Sequence, residues 1–189
     1  ALEKNDLIGS LDLSPDERGQ LKGFRFLTEK PLMVVVNSDE DRFNQSEGLL
    51  AAIKDTMPAV EFAGRFEMEL SGLSPEDARE FMEDMGIETS ARDRLTMLAY
   101  RVLGYITFFT VGPDEVKAWT VMQGDTAVDA AGTIHSDLAR GFIRAECFSF
   151  DDLIRLGSEK ALKDKGLFRL EGKGYLVQDG DIMSIRFSV

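Results

Sequence analysis

Between Pro31 and Asn37 the chain reads Leu32-Met33-Val34-Val35-Val36, five apolar residues without a polar break. A strand with one wet face alternates apolar and polar side chains. A short continuous run instead reads as a strand buried on both faces, as in a parallel sheet. Parallel neighbours need a crossover, and the sequence supplies one. Leu49, Leu50 and Ile53 mark a helix, and Val60-Glu61-Phe62-Ala63 follows as the next strand. Strand, helix, strand is a βαβ unit of the kind that builds doubly wound sheets. Two strands cannot make a full sheet of that kind. The sequence therefore predicts an incomplete α/β segment, or one that packs on something else.

Helices flank this unit. Ser14-Pro15-Asp16-Glu17 combines a capping hydroxyl, a first-turn proline and acids that face the helix dipole. Leu21, Phe24 and Leu27 recur every third residue, which carries the predicted helix on towards Pro31. Ser74-Pro75-Glu76-Asp77 repeats the start signal, Phe81 and Met85 share a face, and Gly86 is the stop. Leu95, Leu98, Ala99, Val102 and Leu103 continue at helical spacing as far as Gly104.

Beyond Gly104 the pattern changes to short β-rich runs, so a domain boundary is expected there, between 1–104 and 105–189. Residues 106–110 and 116–121 read as a hairpin around Gly112-Pro113-Asp114, and 126–134 as a short helix. Residues 142–148 alternate as a strand, and 150–165 read as a helix stopped by Gly166. Residues 167–170, 175–177 and 182–189 read as three more strands, the last two joined by Asp179-Gly180-Asp181. Hairpin, helix, then further strands is the order of a β-grasp, or ubiquitin-like, domain. The predicted class is α+β.

Composition narrows the chemistry. The 189 residues carry 22 Lys and Arg against 34 Asp and Glu, a net charge of −12, which makes a poor general binder of phosphate backbones. With 43% hydrophobic residues and 13 Phe the chain can bury a core, which excludes a disordered tail. A single Cys excludes an internal disulfide, and a single His excludes a multi-His metal site. No apolar run approaches the ~18 residues of a membrane-spanning helix.

Several blocks then carry a resemblance. They are Thr107-Phe108-Phe109-Thr110-Val111-Gly112-Pro113-Asp114-Glu115-Val116-Lys117-Ala118-Trp119-Thr120, Ala130-Ala131-Gly132-Thr133-Ile134-His135-Ser136-Asp137, Arg140-Gly141-Phe142-Ile143-Arg144-Ala145-Glu146, Val177-Gln178-Asp179-Gly180-Asp181-Ile182-Met183 and Arg186-Phe187-Ser188-Val189. In this order they resemble the TGS domain that ends members of the Obg-like ATPase (YchF) family, over nearly all of 107–189. The resemblance extends upstream more loosely. Phe26-Leu27-Thr28-Glu29-Lys30-Pro31 resembles the return to the family's nucleotide domain after its helical insertion. Asn37-Ser38-Asp39-Glu40 resembles the family's Asn-x-x-Glu motif, which stands where GTPases have Asn-Lys-x-Asp. Ala63-Gly64-Arg65-Phe66-Glu67 lies where a Ser-Ala segment supports the base, and departs from it because Ala63 has no hydroxyl.

The resemblance implies a partial P-loop-type α/β segment with linking helices, followed by the β-grasp TGS domain. It implies base contacts at Asn37, Ser38 and Glu40, and ATP or GTP with Mg²⁺ as the cofactor of the intact protein. It also implies a cytoplasmic location, with ribosome or RNA contact through the TGS domain and no membrane. A strand-end Asn can donate and accept along a purine edge. Exchanging Lys-x-Asp for Ser-Asp-Glu removes the stem that covers the base and lengthens the acid, so strict guanine preference should be lost.

Other residues have plainer readings. The sequence contains no Gly-x-x-x-x-Gly-Lys-Ser/Thr, and Gly157-Ser158-Glu159-Lys160 reads as a helix start capped by Ser158. Phosphate and Mg²⁺ contacts supply the catalysis in this enzyme class, so this chain alone is expected to be inactive, with no catalytic residues and no metal ligands of its own. The opening Ala favours a piece of a longer protein. The alternative is a stand-alone regulatory or ribosome-binding TGS protein with no nucleotide function. His135 reads as a cap or structural hydrogen bond, Cys147 and Trp119 as core, and Asp39-Glu40-Asp41 as solvated acids. Lys160, Lys163, Lys165, Arg169 and Lys173, with Arg140 and Arg144, form a basic cluster that either faces RNA or is an ordinary solvated face. An unpaired edge on strand 32–36 predicts dimerisation or partial disorder.

Overall fold

The structure is a computed structural model, and it describes residues 3, 6–43, 45, 47–84, 86–112 and 114–188, with the side chains of Glu40 and Glu47 outside that description. The chain forms two compact units, Ala1–Leu103 and Gly104–Val189.

In the first unit, helix α1 (Pro15–Leu21) begins with a full capping box. The Ser14 hydroxyl accepts from the Glu17 N–H, and the Glu17 carboxylate accepts from the Ser14 N–H at 2.8 Å. The helix ends at Leu21 and does not continue to Pro31. Gly19 and Gly23 weaken it, and Arg25 takes a left-handed φ of 51°. Phe24 and Leu27, the expected continuation of its stripe, are 71% and 76% exposed.

Strand β1 (Val34–Asn37), helix α2 (Glu47–Lys54) and strand β2 (Ala59–Phe62) form the expected βαβ unit. The strands are parallel, with Val34 opposite Ala59 and Asn37 opposite Phe62. Burial on both faces belongs to β2 rather than to β1. Val35 is 41% exposed, whereas Ala59, Val60 and Glu61 are buried. Each strand has one strand neighbour among the described residues, and β2 also packs against α2 and the helix over Ala91–Leu103.

Helices α3 (Gly64–Leu70), α4 (Pro75–Asp84) and α5 (Ala91–Leu103) complete the unit. The first of these is absent from the sequence reading. Ala63, Phe66, Leu70 and Ile87 form its core, with Phe43, Phe81 and Met82 packed against them. Met85, the expected companion of Phe81, lies outside the described residues. Gly86 and Gly104 take φ of 65° and 70° and end α4 and α5 as expected. A carboxylate oxygen of Glu67 accepts from the Ala91 N–H at 2.7 Å, which ties α3 to the start of α5.

The second unit contains β3 (Tyr105–Val111), β4 (Val116–Met122), α6 (Ala127–Ile134), α7 (Ser136–Arg140), β5 (Phe142–Ser149), α8 (Phe150–Leu156), α9 (Glu159–Asp164), β6 (Arg169–Glu171) and β7 (Asp181–Phe187). Its sheet has the order β4-β3-β7-β5-β6. The β3–β7 pair is parallel and the others are antiparallel. Helix α6 lays Ala127, Ala130 and Ala131 on one side of the sheet against Phe108, Val121, Ala145, Cys147 and Met183. A second cluster of Phe148, Leu162 and Ile182 is covered by Leu153 and Leu156 of α8 together with Phe168.

Three expectations change here. The predicted helix over 150–165 is two helices, because Gly157 turns left-handed at φ 77° and Ser158 caps a new start with its hydroxyl on the Ala161 N–H. Residues 175–177 form no strand beyond an isolated bridge between Leu176 and Thr126. Their backbone groups bond the start of α6 instead, with Ala127 donating to Tyr175 at 2.8 Å and Val177 donating to Asp125 at 3.0 Å. Helix α7 is an addition, started by His135, whose Nδ1 accepts from the Asp137 N–H at 3.1 Å. No helix among the described residues is long and apolar enough to cross a membrane.

Candidate functional site

The first turn of any helix leaves its N–H groups without partners inside the helix. At the start of α3 the flanking residue is Ala63, which has no side-chain acceptor. The acceptor comes from a different element. Asn37, the last residue of β1, places Oδ1 2.9 Å from the Gly64 N–H. A Cβ on residue 64 would lie 2.8 Å from that oxygen, so glycine is what allows the approach. Because an N–H faces this atom, it must be the carbonyl oxygen of the amide. The Asn37 NH₂ group is left as an oriented double donor on an exposed side chain.

Ser38 continues the ladder, its N–H bonding the Phe62 carbonyl at 3.0 Å. Its hydroxyl donates to Oε1 of Glu61, a carboxylate only 5% exposed. Asn37 and Ser38 thus share the C-terminal end of β1 but turn to different partners. Residues Glu40–Arg42 form a single 3₁₀ turn. It is closed by the Arg42 and Phe43 N–H groups, both 2.9 Å from the Asp39 carbonyl. The Glu40 side chain lies outside the described residues. Gly64 belongs to the segment that the sequence places beside the base, whereas Glu61, the partner of Ser38, is not singled out in the sequence reading. A charge inside the apolar run Ala59-Val60-Glu61-Phe62 was the available signal for the second. No group of three or more His, Cys, Asp or Glu among the described residues can hold a metal ion.

The basic cluster of the second unit is partly consumed from within. Arg169 donates to Oδ1 of Asp181 at 3.1 Å and to the Tyr175 hydroxyl at 3.1 Å. Tyr175 donates in turn to Oδ2 of Asp181 at 2.7 Å, as does the Gln178 N–H at 2.9 Å. Asp181 is 2% exposed, so Arg169 acts as its counter-ion. Lys163 pairs with Glu159 and lies over the Phe168 ring, and Arg140 pairs with Asp137. Lys160, Lys165, Lys173 and Arg144 remain exposed. Burial first, and then the Asp181 charge, pushes the Cys147 thiol up to about 12, and burial with the bond to Asp181 raises Tyr175.

Comparison with known proteins adds a lineage. Residues 105–188 match the family model YchF-GTPase_C, described as a protein of unknown function (DUF933). The chain is 42% identical to the ribosome-binding ATPase YchF of Haemophilus ducreyi, over all of this chain and 53% of that protein. It is 37% identical to the Bacillus subtilis protein of the same name, over all of this chain and 54% of that one. The chain therefore spans about half the length of the curated relatives it matches. Among solved structures, the Schizosaccharomyces pombe YchF GTPase superposes with a TM-score of 0.82 at 26% identity, covering 97% of this chain and 50% of that one.

Proposed function

This chain belongs to the YchF family, and from that premise we propose that it is the part of a translation-associated ATP/GTP-binding protein that reads the nucleotide base and contacts the partner. The single observation that carries the base-reading role is the Asn37–Gly64 hydrogen bond. It fixes the carboxamide so that two N–H donors face outward, which is complementary to a ring-nitrogen acceptor such as purine N7. Asn37 is the purine contact in this reading. Glu40 takes the place of the base-reading acid, and Ser38 lines the strand end beside them.

These residues fit the base end of a nucleotide. The phosphates and Mg²⁺ need groups of another kind, and the sequence holds no Gly-x-x-x-x-Gly-Lys-Ser/Thr. No hydrolytic step is assigned to this chain, and ATP or GTP with Mg²⁺ is the cofactor of the longer form its relatives have.

In the same reading 105–189 is a β-grasp TGS domain that binds the ribosome in the cytoplasm. The sheet order β4-β3-β7-β5-β6 with α6 across one side supports that architecture, and the names of the relatives support the partner. The outer edge of β1 is the surface through which two copies would pair.

Titration calorimetry tests the base-reading role. With ATP or GTP and Mg²⁺ the 189-residue chain should give little or no heat. A protein of the relatives' full length should bind, and Asn37→Ala should weaken it at least tenfold. Unchanged affinity in Asn37→Ala would overturn the role. Missing phosphate-loop chemistry also favours a second reading, a ribosome-binding TGS protein without nucleotide function. Co-sedimentation with ribosomes, together with no nucleotide binding in the full-length form, would favour that one.

A further inference from the structure

The loop that leaves β1 is held by two groups that the base-reading role does not use. The first is Glu61. A carboxylate 5% exposed is costly to bury, and the partner observed for it is the hydroxyl of Ser38, the first residue of the loop. The second is Arg94, on the first turns of α5. Its guanidinium lies 5.5 Å from the ring centroid of Phe43, the residue whose N–H helps close the 3₁₀ turn on Asp39. Among the described residues, Nε and one Nη of Arg94 are buried and have no hydrogen-bond partner.

Buried charge of this kind adds little to stability. Apolar residues of similar volume often serve as well or better, and an unpaired buried donor is unfavourable. Both groups nevertheless converge on one six-residue loop, one at each end, with Asp39, Glu40 and Asp41 between them. Phe43 also packs on the cluster that contains Ala63, next to the Gly64 amide that orients Asn37.

We propose that Glu61 and Arg94 are positioning residues: Glu61 through Ser38, and Arg94 through Phe43, hold the backbone of loop 38–43, which follows directly on Asn37, in its closed turn. This rests on reading Asn37 as the base contact, but the brace can be tested without any nucleotide. The measurement is amide hydrogen exchange on the 189-residue chain, read at Arg42 and Phe43, whose N–H groups bond Asp39. Glu61→Leu and Arg94→Met should each speed exchange at these two amides at least tenfold while leaving the amides of β5 unchanged. Glu61→Gln keeps an acceptor for Ser38 and Arg94→Lys keeps a cation over the ring, so both should restore most of the protection. A purely structural role predicts something else: lower thermal stability of the whole first unit, with exchange rising throughout it. That result would overturn the proposal, as would wild-type exchange at Arg42 and Phe43. Asn37→Ala should speed exchange at Gly64 and leave Phe43 alone, so a failed brace and a failed base contact give different patterns.

Discussion

Cys147, the one cysteine of the sequence, sits in the core as its strand alternation predicts, and its surroundings make it inert. It is buried, and its thiol is held at about 12 by burial and by the Asp181 charge, so almost no thiolate exists near neutrality. Iodoacetamide at pH 8 should leave the folded chain unlabelled and modify it only after denaturation. Rapid labelling of native protein would contradict this. Asp181 itself gathers Arg169, Tyr175 and the Gln178 amide in a nearly sealed site. Asp181→Ala should cost ~3 kcal/mol, because it strands a half-buried guanidinium and a phenol together. Urea unfolding measures it. The alternation of 142–148 places Cys147 in a strand core, but nothing in the sequence says that Arg169 is turned inward. As a residue in a basic cluster it reads as surface, and only the approach of β6 to β7 across β5 gives it a partner.

At the scale of elements, the helix starts are the most legible features. Thr126 caps α6 and Asp129 answers it, a reciprocal pair set by a three-residue spacing. Hydrogen bonds from the Thr126 side chain, then from its backbone, lower the Asp129 pKa. A lowered carboxylate pKa contributes stability above its unfolded value, near 4, and that contribution is lost as pH falls through the lower folded value. Thr126→Ala should therefore cost ~1 kcal/mol at neutral pH and bring the Asp129 titration back up towards the ordinary range. Carboxyl chemical shifts across an acid titration report both states. Glycines mark the stops. Gly157 splits 150–165 because a left-handed residue ends one helix where Ser158 begins another. Gly157→Ala should destabilise by about 1 kcal/mol through that backbone conformation alone. Helix α3 was not legible, since its first amide is satisfied by Asn37 from 27 residues away rather than by a local cap.

For the molecule as a whole, residues 104–189 form a compact unit with two apolar clusters of their own. Expressed separately, this segment should unfold in one cooperative urea transition, monitored by Trp119 fluorescence. A broad, non-cooperative loss of signal would argue against it. Local chemistry in the sequence determined the βαβ unit, the capping boxes, the glycine stops and the strand-end position of Asn37, because each depends on residues a few positions apart. The tertiary structure alone decided which face of β1 meets water, that the Asn37 carbonyl is occupied by Gly64, that Glu61 is buried, and that Arg94 and Arg169, both partly buried, turn to Phe43 and Asp181. Those outcomes depend on groups 12 to 51 residues apart or on how strands and helices pack together. No periodicity or local spacing encodes such meetings. They arise when packing brings distant charges and amides to the same few ångströms.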